Sequence, residues 1–290
     1  MKKICFLSMD DLGDYVSDDE LAVAPLRELG WEVETVSWRD ENADWGKYKA
    51  VIIRTPWDYH EVPEEFLDSL RKIEASGTRL ENSLAIVEWN LNKTYLRELE
   101  ERGVLIVPTI WGNQPVTEEM TAEWFRRLQT EEIIIKPVIS ATARHTYRIR
   151  EYLPELTGIF RTQKYMVQPF MKNITLEGEY SLFYFGGEFS HAILKAPKKD
   201  DFRVQEEWGG IITETVPDEK MINAGENALS AIGQKLLYAR VDLVRTDEDK
   251  FALMELELIE PALYFRMNEN APQFFAETLD RWLQEQYSER

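Results

Sequence analysis

Three carboxylates near the C-terminal end have the spacing of a divalent-cation site. Glu255 and Glu257 are two residues apart in the apolar run 251–259, so both project from one face of a strand. Asp242 belongs to the alternating run 238–244 and can lie opposite them across a hairpin. Hard carboxylate oxygens without histidine or cysteine suit Mg²⁺. The alternative is that the glutamates are only the solvated face of an edge strand.

Several cations occur where a phosphate could bind. Lys136 ends the apolar run 133–135, Lys195 ends another predicted strand, and Arg203 lies in a loop that closes on Gly209 and Gly210. Cations together with metal-binding carboxylates are the side chains expected at a nucleotide–Mg²⁺ site. The alternative is that the lysines extend from strand ends to water. The sequence contains neither GxxxxGK[ST] nor GxGxxG, so a P-loop and a Rossmann fingerprint are excluded.

The runs 238–244 and 251–259 are joined by the polar turn 245–250, and the three segments together predict a β-hairpin. Gly186-Gly187 predicts a second hairpin, because two glycines between strand-like runs are typical of a two-residue turn. The remaining pattern predicts helices over 18–29, 63–76, 88–99, 117–129, 217–236 and 271–286, and strands over 2–8, 31–36, 50–53, 78–82, 104–109, 131–137 and 165–170.

The strand–helix–strand order at the start of the chain predicts a small parallel α/β domain. Ligands of such sheets bind beyond the carboxyl ends of the strands, where the loop 54–59 lies. Arg54 and Asp58 in that loop are candidates for substrate recognition, because guanidinium is a common partner of carboxylates. The alternative is a capped loop with a surface ion pair.

The composition of the chain excludes several kinds of partner and site. The 290 residues carry a formal charge of −19, which argues against a nucleic-acid or anionic-membrane partner. A single cysteine excludes an intrachain disulfide, and three histidines with one cysteine exclude a structural zinc site. The N-terminal apolar run is too short for a signal peptide, and no run approaches transmembrane length, so we expect a cytoplasmic protein.

The order of these motifs over residues 1–270 resembles the ATP-grasp superfamily of carboxylate–amine or carboxylate–thiol ligases, which includes glutathione synthetase and D-alanine–D-alanine ligase. The match rests on Lys93 in WNLNK, Lys136 in IIKP, the hinge-like MVQPF at 166–170, Glu179 in GEY, and an RxD…ExE pattern from Arg240 to Glu257. The resemblance implies an α/β (α+β) ATP-grasp fold. Its expected parts are an N-terminal parallel α/β domain (1–88), a small lobe with a lid (89–170) and a large lobe with the metal site (171–290).

The resemblance also implies a reaction and its participants. ATP would phosphorylate the carboxylate of a small molecule, an amine would displace the phosphate, and Mg²⁺ or Mn²⁺, expected as two ions, would assist. The predicted partners are a small carboxylate and an amine, and a homodimer is one expectation for the oligomeric state. The implied roles are catalysis by Arg240, Lys195 and Arg203; nucleotide binding by Lys93, Lys136, Ser140, Gln168, Phe170, Glu179 and Lys195; substrate binding by Arg54, Asp58, Arg203 and Gly210; and metal binding by Asp242, Glu255 and Glu257.

The sequence departs from the family pattern at two places. Glu257 stands where the family usually has asparagine, and the loop 140–145, expected to cover the phosphates, contains no glycine. The phrases at 54–59, 189–195 and 255–261 are similar to the O-ureido-serine cyclo-ligase branch, so intramolecular ligation is one expectation. A small-acid kinase and a non-catalytic nucleotide-binding protein remain alternatives. His191 is either a base or a satisfied strand histidine.

Overall fold

The computed structural model describes residues 1–140 and 145–285, which form three sheets with helices packed on them. The first part contains β1 (Lys2–Ser8), α1 (Val23–Glu28), β2 (Trp31–Ser37), β3 (Ala50–Thr55), α2 (Pro63–Ala75) and β4 (Arg79–Glu81). Its sheet has the order β2-β1-β3-β4 and is parallel throughout. The predicted parallel α/β arrangement is confirmed. The helix predicted over 18–29 opens with a 3₁₀ turn, Asp19–Ala22, before α1.

A second, antiparallel sheet follows. This part contains α3 (Leu84–Asn90), α4 (Tyr95–Glu101), β5 (Ile110–Gly112), α5 (Glu118–Leu128), β6 (Ile133–Pro137), β7 (Tyr147–Ile149), α6 (Glu155–Ile159) and β8 (Tyr165–Pro169). The strand order is β5-β8-β6-β7. Thr117 begins α5 as predicted, since its hydroxyl accepts a hydrogen bond from the Met120 amide at 3.3 Å.

The single helix predicted over 88–99 is wrong, because α3 and α4 are separated at residues 91–94. The amide of Lys93 donates to the carbonyl of Val138 at 2.8 Å. The chain therefore leaves the helical path to bond the segment after β6, and this break places Lys93 beside the second sheet.

The strand predicted over 104–109 is also wrong. The amide of Leu253 donates to the carbonyl of Leu105 at 2.8 Å, and the amide of Val107 donates to the carbonyl of Leu253 at 3.1 Å. The segment is thus attached at one point of another strand instead of forming a ladder, and the strand begins only at Ile110.

The third sheet is antiparallel and contains both predicted hairpins. Its elements are α7 (Asn173–Leu176), β9 (Glu179–Phe185), β10 (Glu188–Ala196), β11 (Ile211–Thr215), α8 (Glu219–Ile232), β12 (Tyr238–Arg245), β13 (Phe251–Glu257) and α9 (Ala271–Glu285). The strand order is β11-β10-β9-β12-β13, and the sequence pattern predicts every strand except β11. No helix in residues 1–140 or 145–285 has the length and apolar content to cross a bilayer.

The first and third sheets share one hydrophobic core. Ile4 and Phe6 of β1 belong to the same buried cluster as Phe183 and Phe185 of β9 and Phe275 of α9. Each such side chain contributes about 1.5–3 kcal/mol when fully buried. This shared core holds the loops of the first sheet against the third sheet.

Side chains cover the outer edge of β13. The Asn90 amide donates to the carbonyl of Leu256 at 3.0 Å and accepts from the amide of Leu258 at 3.0 Å. The Tyr95 hydroxyl accepts from the amide of Leu256 at 2.8 Å and donates to its carbonyl at 3.1 Å. These bonds satisfy backbone groups of an edge strand and fix α3 and α4, which flank Lys93.

Candidate active site

A cleft of about 240 Å³ lies between the second and third sheets, with the loops of the first sheet along one side. Residues that are far apart in the chain meet on its walls. The predicted site residues that line it are Lys93, Lys136, Ser140, Gln168, Phe170, Glu179, Lys195, Arg203, Arg240, Asp242, Glu255 and Glu257.

The β12–β13 hairpin forms the charged wall of the cleft. Its register pairs Asp242 with Glu255 and Arg240 with Glu257, which confirms that Asp242 lies opposite the glutamates. Arg240 forms ion pairs with Asp242, at 3.0 Å, and with Glu257. The Ser181 hydroxyl on β9 also donates to Asp242. Period-two alternation on adjacent strands therefore gathers these charges on one face.

The donor set fits a divalent cation. Burial raises the pKa of Glu257, Arg240 opposes the rise, and Asp242 and Glu255 add to it. The three carboxylates thus repel one another, and a cation between them would relieve that repulsion. In the part of the chain that the structure describes, no three acidic, histidine or cysteine side chains form a set that could hold a metal ion by themselves. Mg²⁺ does not need one, because it usually takes one or two carboxylates together with substrate phosphates.

The lysines reach the cleft from three different elements. Lys195 on β10 is 3% exposed and forms ion pairs with Glu179 and, at 3.4 Å, with Asp242. Burial disfavours its charged form, but Asp242 and Glu179 outweigh burial and raise the pKa of Lys195. Lys93 contacts Glu255 at 2.8 Å and donates to the carbonyl of Ser140 at 2.7 Å. Lys195 stays charged because carboxylates surround it.

Lys136 at the end of β6 differs from the other lysines. Burial lowers its pKa, Glu255 opposes this effect, and the charge of Lys93 adds to it. Its ammonium forms no ion pair with any carboxylate of the described residues. A phosphate oxygen would supply the missing negative charge, so Lys136 has the environment expected of a phosphate-binding lysine.

Phe170 and Gln168 of the hinge-like segment 166–170 line the cleft, as the predicted nucleotide-binding role requires. Phe170 follows β8, with the Arg148 guanidinium 3.6 Å from its ring centre and the Phe202 ring 6.2 Å away. Gln168 donates to the Thr109 hydroxyl at 3.0 Å. A flat aromatic base can pack against an aromatic side chain such as Phe170.

Comparison with known proteins agrees with this geometry. Residues 4–82 match the family model described as the N-terminal domain of D-cycloserine synthetase DcsG. The cycloserine biosynthesis protein DcsG of Streptomyces lavendulae is 28% identical over 269 residues, which is 87% of this chain and 89% of that protein. The crystal structure of D-cycloserine synthetase DcsG superposes with a TM-score of 0.84 at 26% identity, covering 97% of this chain and 99% of that chain. These matches indicate an ATP-grasp ligase.

More distant ATP-grasp structures share the fold. D-alanine–D-alanine ligase from Bacillus anthracis, solved with ATP, matches 99% of this chain and 98% of its own at a TM-score of 0.71 and 13% identity. The ATP-grasp ligase PsnB, solved with Mg and ADP, matches 97% of this chain and 98% of its own at a TM-score of 0.63 and 15% identity. The predicted ATP-grasp fold is therefore confirmed.

Arg54 of this ATP-grasp ligase does not line the cleft, contrary to the substrate role predicted for it. Its side chain is 1% exposed, pairs with Asp19 at 3.0 Å and donates to the carbonyl of Pro261 at 2.8 Å. A guanidinium already committed to these partners is not accessible to a substrate carboxylate. Arg54 instead ties the first sheet to the segment after β13.

Asp58 and Gly210, also predicted to bind substrate, lie outside the cleft lining. The Asp58 carboxylate accepts from the Trp38 indole at 2.9 Å and pairs with Arg39, so it ties its loop to the segment after β2. A Cβ on Gly210 would lie 2.0 Å from the carbonyl of Val204. Gly210 therefore affects the cleft indirectly: because it has no side chain, the cleft wall around Val204 can fold back closely on itself.

Arg203 lines the cleft as predicted, but its charge is partly satisfied. Its Nε and Nη2 donate to the two carboxylate oxygens of Asp201 at 3.0 and 2.8 Å, and its guanidinium lies 3.7 Å from the Trp208 ring centre. Ser140 also borders the cleft, whereas residues 141–144 of the predicted phosphate-covering loop lie outside the described residues.

Sequence reasoning missed four side chains on one wall of the cleft, three from loops of the first sheet and one from the segment after β13. Tyr15, Trp57, Tyr59 and Glu260 all line the cleft of this ATP-grasp ligase. The aromatic run beside Arg54 was the available signal for two of them. The approach of Tyr15 and Glu260 to that run depends on the tertiary fold alone. His191 does not line the cleft; it is buried and stacked on Phe183.

Proposed function

We propose that this ATP-grasp ligase transfers the γ-phosphoryl group of ATP to a small-molecule carboxylate and then forms an amide with an amine. The carboxylate oxygen attacks phosphorus, ADP leaves, and an acyl phosphate forms. The amine nitrogen then attacks the acyl carbon, the carbon–oxygen bond to phosphate breaks, and the ammonium proton is lost. The observation that carries the proposal is the convergence of three lysines, Arg240 and three carboxylates in one cleft.

Each group has a proposed task in this reaction. Lys93, Lys136 and Lys195 bind phosphate oxygens, and Arg240 stabilises the charge that develops during transfer. Arg203 borders the substrate side and acts together with its partner Asp201. These groups neutralise and align two anions that otherwise repel each other, so no covalent intermediate with the protein is needed.

The nucleotide and the metal have proposed positions. Adenine stacks near Phe170 and Gln168, and Glu179 faces the ribose. Asp242, Glu255 and Glu257 hold two Mg²⁺ ions. Bound Mg²⁺ supplies charge neutralisation at the phosphates.

We also propose the three-domain division 1–88, 89–170 and 171–290. It is supported by the strands, because β1–β4, β5–β8 and β9–β13 each form one sheet inside one of these ranges. Residues 110–165 would act as the lid, since an acyl phosphate must be protected from water.

The finer proposal is an intramolecular ligation of the kind that makes cycloserine. It is supported by the match to DcsG along nearly the whole of both chains. O-ureido-D-serine is the direct probe, with ADP, phosphate and cycloserine measured as products; its carbamoyl group leaves by hydrolysis as carbon dioxide and ammonia. A small-acid kinase would instead form ADP and a stable phosphorylated acid without releasing phosphate.

Glu255→Gln tests the metal assignment. We expect Mg²⁺-dependent ADP release to fall about 100-fold or more, because the amide cannot replace the carboxylate charge at the phosphates. The control is Glu248→Gln, which removes the same charge from the exposed turn of the same hairpin, where Glu248 pairs with Lys250. Parent-like ADP release from Glu255→Gln would disprove the assignment.

A further inference from the structure

One arginine behind the cleft wall joins three segments that are far apart in the chain. Arg266 lies in the 3₁₀ turn Phe265–Met267, after β13. Its Nη1 donates to the Asp18 carboxylate at 2.8 Å, and its Nη2 donates to both carboxylate oxygens of Glu206 at 2.6 Å. Its guanidinium also lies 5.0 Å from the ring centre of Tyr264. Arg266 thus connects the loop after β1 and the loop between β10 and β11 with the segment after β13.

The segments that Arg266 joins all contribute to the cleft lining. The loop after β1 contributes Tyr15 and Val16, and the loop between β10 and β11 contributes residues 202–207. Tyr264 lines the cleft as well, whereas Arg266 itself lies outside the lining. Arg266 is therefore placed to set the distance between two walls of the cleft without facing the reacting groups.

The charges on the two loops require a cation between them. Burial raises the pKa of Asp18, the guanidinium of Arg266 lowers it, and the charge of Glu206 raises it further. Asp18 and Glu206 are thus close enough for their like charges to repel each other, and Arg266 turns this repulsion into attraction. The Asp18 side chain is only 11% exposed, so solvent screens its pair with Arg266 less than a fully exposed pair.

We propose that Arg266 is a positioning residue that keeps the substrate side of the cleft closed to water during ligation. The inference rests on the proposed function, in which an acyl phosphate stays in the cleft until the amine attacks it. A water molecule that attacks the acyl carbon instead breaks the bond to the phosphate oxygen and regenerates the carboxylate, with release of phosphate and a proton. ATP is then consumed without product. By holding the loops of Asp18 and Glu206 together, Arg266 favours attack by the amine over attack by water.

The number of ADP molecules released per product molecule tests this role. O-ureido-D-serine is supplied with ATP and Mg²⁺, and ADP and cycloserine are measured in the same samples. The parent should release about one ADP per cycloserine, whereas Arg266→Gln should release about two or more. Asp18→Ala, which removes one partner of Arg266, should raise the ratio in the same direction. Because the ratio does not depend on how much of the protein is folded, a loss of stability alone leaves it unchanged.

Arg71→Gln is the matched control. Arg71 also pairs with two carboxylates, those of Asp68 at 2.8 Å and Glu88 at 2.9 Å, but it lies outside the cleft lining. This variant should keep the ADP-to-cycloserine ratio of the parent. Neither Arg71→Gln nor Arg266→Gln should move the midpoint of thermal unfolding by more than about 3 °C, because partly exposed ion pairs contribute little to folding.

Hydrogen exchange measures whether Arg266 acts through the two loops. In Arg266→Gln, the backbone amides of residues 9–18 and 201–210 should exchange at least about fivefold faster than in the parent, because both loops then open more often. In Arg71→Gln, the same amides should exchange at the rates of the parent.

A parent-like ratio of ADP to cycloserine in Arg266→Gln overturns the inference and leaves the ligase proposal standing. A raised ratio with parent-like exchange in both loops also overturns it, because Arg266 would then act without holding the loops. If the parent forms no cycloserine while it still binds ATP, the proposed ligation fails, and the inference fails together with it.

Discussion

Replacing His191 by glutamine separates a structural histidine from a catalytic base. His191 is 3% exposed, and its ring lies 4.3 Å from that of Phe183 at an angle of 5°. Its Nε2 is 3.0 Å from the carbonyl of Leu263, so Nε2–H donates, and Nδ1 accepts from the Ser190 hydroxyl at 2.9 Å. Both nitrogens are thus satisfied in the neutral ring, whose position in the core has no place for a second proton.

The expected effect follows from the proton linkage. Burial lowers the pKa of His191 to about 4 in the folded chain, against 6.5 for an ordinary histidine. The unfolded chain therefore takes up the proton first, and folded stability falls as the pH drops from above 6.5 toward 4. Between pH 7 and pH 5 this one group costs about 2 kcal/mol of unfolding free energy.

Urea unfolding at pH 7 and pH 5 measures this cost. The loss of unfolding free energy between the two pH values should be about 2 kcal/mol smaller in His191→Gln than in the parent. Phe183→Leu is the control, because it removes the stacked ring but keeps the imidazole, and so should keep the pH dependence of the parent. Equal losses in parent and His191→Gln would refute the structural role, as would a 100-fold fall in kcat at pH 7, the effect expected of a general base.

Two further substitutions test how the cleft is held. Asn82→Ala should lower the unfolding free energy by about 3 kcal/mol, because three buried backbone groups lose their partner. These groups are the amide of Leu237 and the carbonyls of Tyr238 and Leu258, all within 2.9 Å of the Asn82 side chain. Asn42→Ala, at an exposed position, is the control, and equal unfolding curves for the two variants would contradict this reasoning. Gly210→Ala should lower stability by about 1–3 kcal/mol and weaken substrate binding, since its Cβ meets a backbone carbonyl; unchanged thermal unfolding and KM would show that the turn relaxes freely.

Local patterns in the sequence were sufficient for the hairpins. Strand periodicity places Arg240, Asp242, Glu255 and Glu257 on one face, and Gly186-Gly187 marks the turn of the other hairpin. Both features depend only on alternation along a strand and on the conformational freedom of glycine. For this reason the charged wall of the cleft could be predicted before its surroundings were known.

Features that depend on distant partners could not be predicted in this way. The helix predicted over 88–99 breaks because Lys93 bonds Val138, and the strand predicted over 104–109 is lost because its backbone bonds Leu253. Local propensity gives no information about either partner. In the segment 88–99 the tertiary hydrogen bond outweighed local propensity, since helix preferences differ by less than about 1 kcal/mol per residue for most residue types.

The sequence by itself therefore determined which residues share a strand face, and with the family resemblance it determined the kind of chemistry. The tertiary structure alone decided which charges reach the cleft. Arg54 was the strongest substrate candidate in its loop, yet Asp19 and the Pro261 carbonyl hold it in the interior. Glu260 had no assigned role, yet the packing of the first sheet against the third brings it to Tyr59 in the cleft. Accessibility and counter-ions arise from contacts between distant segments, and periodicity along one segment carries no record of them.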